Sequence, residues 1–203
     1  MSIRRVSNST ALSGFPKYAN AWDQISGAVT FDNLGTTTVS ATTHASVYFG
    51  NIPQTYSHLQ IRGIGRTITN VSNTAYDLAI TVNQSNPNSF QHMSMIGDGS
   101  SVDTTANFGD NIFRAVGVIT NPVHASNLFG TFVIDFFNYS DNNRNKAIQA
   151  YCAYDTNSAT APNAGRAILM RGQLNSPNPI TTLDLFSYDN WAQNTTISLY
   201  GIK

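Results

Sequence analysis

Apolar residues recur at every second position along most of this chain, which is the period of a strand and not of a helix. The longest example lies at the centre, Leu128–Tyr154. There Phe132, Ile134 and Phe136 fall on one side and Val133, Asp135 and Phe137 on the other, so both faces of the strand are largely apolar. That pattern predicts a strand covered on both sides. A polar run through Asp141-Asn142-Asn143 reverses the chain. The return strand sets Ile148, Ala150 and Cys152 on one face and Gln149, Tyr151 and Ala153 on the other. The segment reads as a β-hairpin around which the remaining strands are arranged.

Before it, short β signals run over Ala28–Phe31, Thr36–Thr43, separated by a turn at Asn33-Leu34-Gly35, and Ser46–Asn51. Tyr56–Arg66 alternates with Leu59 and Ile61 inward and Gln60 and Arg62 outward. Tyr76–Asn83 repeats the alternation through Leu78, Ile80 and Val82. Phe90–Ile96 is a further strand with His92 on its solvent side, Gly97–Asp110 a long polar loop, and Asn111–Thr120 a strand. After the hairpin come strands at Arg166–Leu174, Ile180–Phe186 and Thr195–Ile202, the last two joined by a loop, Ser187–Asn194, that carries Trp191. Short strands between Asn-, Gly- and Pro-rich turns, with no long amphipathic helix, predict an all-β fold: an antiparallel sandwich of roughly eight to ten strands, preferably a jelly roll.

Residues 1–24 carry neither period, yet contain Leu12, Phe15, Pro16, Tyr18 and Trp22. They read as an extended N-terminal arm whose aromatic residues need a protein surface to lie on, making these five the expected partner-docking residues. Residues 25–203 then form the sandwich domain, and 203 residues suffice for one core without staples.

Composition sharpens the functional picture mainly by exclusion. Formal net charge is zero and only 11% of residues are charged, against ~25% in typical soluble domains. That gives no footprint for nucleic acid or an anionic membrane. All eleven acids are Asp. Abundant Asn, Thr and Ser leave a surface with few charges to desolvate on association with other protein. No apolar run reaches membrane-spanning length and no signal peptide opens the sequence, so synthesis and assembly without secretion are expected. The single Cys152 excludes an internal disulfide and reads as a buried, inert thiol.

Candidate chemistry is sparse. His44, His58, His92 and His124 are scattered without metal-ligand spacing, and Asp98…Asp103 lacks the oxygen ladder of a calcium loop. Gly-x-Ser-x-Gly is absent. Asp135 is the one acid in a strongly apolar setting, where a partner donor explains it better than catalysis does. Gly63-Ile64-Gly65 precedes no helix, so it does not cradle a phosphate. Tyr48, Tyr56, Tyr151, Tyr154, Tyr188 and Trp191 could stack on sugar if they share a rim, or cap the ends of the sandwich. No catalytic, cofactor-binding or metal-binding residues are assigned.

Several stretches together resemble small structural proteins of tailed bacteriophages, of the kind that infect cyanobacteria and other marine bacteria. They are the arm Leu12-Ser13-Gly14-Phe15-Pro16-Lys17-Tyr18, the strand entry from Ile52 to Gly63, the hairpin strand from Gly130 to Tyr139, and the ending Ile197–Lys203. The resemblance implies a jelly-roll-like virion component, commonly trimeric, that decorates and cements the capsid and contacts the major capsid protein or other virion proteins. It implies assembly in the host cytoplasm and residence on the particle surface, and no catalytic motif. The alternative is a tail- or fibre-associated receptor-binding module that recognises host surface glycan.

Overall fold

The computed structural model describes residues 31–40, 44–68, 76–84, 89–120, 125, 127–155 and 165–203. The arm residues Leu12, Phe15, Pro16, Tyr18 and Trp22 lie outside them. Twelve strands form among the described residues, and no helix. They are β1 (Phe31–Thr38), β2 (His44–Phe49), β3 (His58–Gly65), β4 (Tyr76–Val82), β5 (Phe90–Gly97), β6 (Val102–Asp110), β7 (Phe113–Ile119), β8 (Gly130–Phe137), β9 (Lys146–Asp155), β10 (Gly165–Leu174), β11 (Leu183–Trp191) and β12 (Thr196–Ile202).

They make two antiparallel sheets, one of eight strands in the order β1-β12-β3-β8-β9-β10-β5-β6 and one of four in the order β2-β11-β4-β7. The predicted hairpin is β8–β9, paired from Thr131↔Ala153 to Phe137↔Ala147 in the middle of the larger sheet. Its two inward rows, Phe132, Ile134, Phe136 and Ile148, Ala150, Cys152, are buried as the alternation requires. Leu59 and Ile61 from β3 join them, and Leu78, Ile80, Leu183 and Leu185 from the smaller sheet complete the core. The opposite row of β8 is different. Val133, Asp135 and Phe137 are only half-buried, so the hairpin is covered on one side where two were expected.

Glycine and asparagine do specific work. Gly63 stands opposite Phe132, whose ring lies across it, and a Cβ there would fall 2.3 Å from Phe132 Cζ. A Cβ on Gly65 would fall 2.9 Å from Trp191 Cζ3. The Gly-x-Gly pair thus makes room for two buried aromatic rings. Asn51, Asn83, Asn138 and Asn194 all hold positive φ, between 53° and 70° in the first two and last cases and 52° at Asn138. Asparagine tolerates that left-handed geometry better than most residues, and these four follow the ends of strands.

Twelve strands exceed the eight to ten expected. The polar loop predicted at Gly97–Asp110 is largely strand β6, with only a tight turn at 98–101, where Asp98 accepts bonds from the backbone N–H groups of Ser100 (2.8 Å) and Ser101 (2.7 Å). The turn predicted at Asn33-Leu34-Gly35 is a bulge inside β1. Trp191 is not in a loop: β11 continues through a register shift to reach it, and its side chain is fully buried.

Candidate functional site

The distinctive surface of the described residues is the outer face of the eight-stranded sheet. Register places its outward residues in rows across the strands. One row runs Met95–Leu169–Tyr151–Val133–Arg62 over β5, β10, β9, β8 and β3. The next runs Val102–Gly97–Ala167–Ala153–Thr131–Ile64. Small side chains at Gly97, Ala167 and Ala153 form a floor between larger neighbours, and the result is a concavity of about 980 Å³ bounded by Ile64, Val133, Tyr151, Leu169, Met95 and Val102. Met93, Met95 and Tyr151 are 57%, 52% and 51% exposed. With Ile64, Leu169, Val102 and Phe108 they leave a run of large apolar side chains exposed across one face, the kind of surface that marks a contact or a binding groove.

A polar row borders this concavity: Arg171–Gln149–Asp135–Gln60–Tyr200. Gln60 Nε2 donates to Asp135 Oδ1 at 2.7 Å, and Arg62 Nε donates to Gln60 Oε1 at 2.5 Å. The Gln149 amide donates to the Tyr151 hydroxyl. Arg62 lies over the rings of Phe31 (5.0 Å) and Tyr200 (5.5 Å). Asp135 is therefore held by a glutamine amide on a half-open face, where an apolar setting had been expected.

The other predicted groups separate. Trp191 and Tyr154 are buried, Tyr56 donates its hydroxyl to Asp32 Oδ2 at 2.7 Å, and Tyr48 belongs to the smaller sheet, so the described ones among these aromatic residues share no rim. The Tyr188 side chain lies outside the described residues. Cys152 is buried and burial pushes its thiol up to about 12, the inert thiol predicted. Among the described residues, no three His, Cys, Asp or Glu side chains gather to hold a metal.

His92 reverses its prediction. It faces the core, 3% exposed, with its ring edge-on to Phe113 at 5.8 Å and Nε2 3.2 Å from the Asn107 amide. Its Nδ1 has no partner. Burial holds its pKa below the ordinary value, reinforced by Arg114 and opposed by Asp110 and Asp77. The folded chain then binds a proton less readily than the unfolded one. Stability is full above the unfolded value of about 6.5 and falls as pH drops below it, by up to ~1.4 kcal/mol per pH unit for one proton. Urea unfolding between pH 7 and 5 is expected to show this slope, and His92→Gln to flatten it; an equal slope in both proteins would assign the acid sensitivity to other groups.

Assigning Gly97–Asp110 to a loop hid the β6 edge of this apolar outer face. The signal was present as apolar residues at Val102, Ala106 and Phe108, in phase with Thr104. No protein-family model matches the chain, and no curated protein matches it.

Proposed function

We propose that this protein is a non-enzymatic structural subunit of a tailed-bacteriophage particle, a jelly roll that decorates the capsid and cements it by burying its apolar outer face against the shell. The observation that carries this reading is that face. A broad apolar concavity without clustered ionisable groups is suited to burial against protein, because little charge has to be desolvated there. Strand order supports the jelly roll. With β5, β6, β9 and β10 set aside, β1-β12-β3-β8 faces β2-β11-β4-β7, the two-Greek-key arrangement of the double-sheet folds used by capsid and lectin domains. The resemblance of the arm, hairpin and C-terminal strand to phage structural proteins points the same way. Binding only to the assembled shell stabilises that shell by mass action.

The test is binding of purified protein to capsids, with bound label located on intact particles by electron microscopy. Label spread over the head is expected, and Leu169→Asp, at an exposed position on the concavity, is expected to weaken binding at least ~10-fold by placing an unpaired charge in the contact. Label confined to the tail tip would overturn the capsid role.

One observation favours a second reading. The row of planar polar groups Gln60, Asp135 and Gln149 beside the rings of Tyr151 and Tyr200 has the mixture that holds sugars: stacking faces with fixed donors and acceptors. A tail-associated module recognising host surface glycan would bind host cells through it, and Gln149→Ala would reduce that binding.

A further inference from the structure

We infer that two copies of this chain pair through β6, antiparallel about a two-fold axis at Thr105, to join their eight-stranded sheets edge to edge. β6 is the terminal strand of its sheet and bonds only to β5 among the described residues. It is nine residues long, about 30 Å at strand rise. Eight of its residues are exposed, because the smaller sheet does not extend beneath it. An edge strand of that length, without proline or lysine, presents a row of unpaired backbone groups that a further strand can take.

The two faces of β6 select the partner. Its inward side is already engaged, with Thr105 bonded to Ser94 at 2.6 Å and Asn107 to His92 at 3.2 Å. Its outward side is apolar at Val102, Ala106 and Phe108, of which Phe108 is 76% and Val102 65% exposed. A two-fold centred on Thr105 sets Phe108 of each copy opposite Val102 of the other, on the outward face, twice. Aromatic against β-branched is a favourable cross-strand pair. The same register sets Asp103 opposite Asn107, so no like charges meet, and Asp110 lies beyond the pairs at either end. Moving the centre by one residue to Ala106 sets Phe108 opposite Thr104 and Asp110 opposite Val102. Moving it to Thr104 sets Phe108 opposite Ser100. Both lose the aromatic pair. The strand is thus complementary to itself in one register, and the chain's zero formal charge adds no long-range repulsion. Because the contact is isologous it closes at two copies.

This contact does not depend on the capsid role and is measured without particles. Sedimentation of the full chain up to ~0.1 mM is expected to give twice the 22.0 kDa chain mass. Val102→Lys with Phe108→Lys, both at exposed positions, is expected to raise the dissociation constant at least ~10-fold by facing cations across each pair, with unfolding unchanged. Thr105→Cys reports the register. Opposed residues lie about 4.5–5.5 Å apart between Cα atoms, within disulfide range, so oxidation is expected to cross-link nearly all of this variant. Val102→Cys, whose symmetry mate would stand about 20 Å away, is expected to stay uncross-linked. A monomer throughout the concentration range, a trimer unaffected by the lysine pair, or a dimer cross-linked by Val102→Cys and not by Thr105→Cys would each overturn the pairing.

Discussion

Replacing Lys146 with alanine is expected to lower folding stability by roughly 3–5 kcal/mol, the range for removing one partner of a buried charged contact. Lys146 opens β9 in phase with Ile148, Ala150 and Cys152, and its side chain is fully buried. It is nonetheless satisfied. Its Nζ donates to the carbonyls of Asp141, Arg144 (2.5 Å) and Pro177 (3.0 Å), tying the β8–β9 turn to the segment that leaves β10. Burial lowers its pKa, with Asp141 opposing, yet three charge-assisted bonds hold the ammonium where it is. Lys146→Met keeps most of the apolar stem and leaves the same three carbonyls without a donor. If the bonds decide, methionine is nearly as damaging as alanine in urea unfolding. A methionine variant within ~1 kcal/mol of the parent would show that water replaces the ammonium at little cost.

Trp191→Ala is expected to cost about 3–5 kcal/mol through the cavity it leaves, and Trp191→Phe appreciably less. Trp191 is among the largest fully buried side chains, where the end of β11 bridges Thr67 and pairs with His44. Its ring rests against Gly65, whose missing side chain provides the space. A void there touches both sheets, so neither can collapse into it without moving the other. Chemical denaturation with far-UV circular dichroism measures the loss. A phenylalanine variant as damaged as the alanine one would show that the shape of the indole matters more than the volume filled.

The elements that alternate on one covered face were legible: β3 with Leu59 and Ile61 inward, β4 with Leu78, Ile80 and Val82, and the β8–β9 hairpin with its buried rows. Two features hid the rest. A bulge shifts the phase, so Asn33–Gly35, inside β1, read as a turn, and Ser187–Asn194 read as a loop although it is strand β11 as far as Trp191. An edge strand exposed on both faces has little inward apolar row to reveal it, which is why β6 passed for a loop and His92, its anchor to β5, was turned toward solvent. The apolar outer face was harder still. Val133, Tyr151, Leu169 and Met95 come from four strands, and only the register between strands brings them together. Lys146 could have been noticed from its inward phase, but its three acceptors come from two separate turns.

The place of β12 has a consequence for synthesis. Thr196–Ile202 is inserted between β1 and β3, and pairs Ile202 with Phe31 and with His58. Until those residues have left the ribosome, β1 lacks its one strand neighbour among the described residues and β3 lacks one edge, whatever the hairpins between them have already formed. Closing contacts across such separations makes folding slow, because the loop entropy is lost before the pairing is gained. The larger sheet is therefore completed late, by the strand that joins the first described segment to β3.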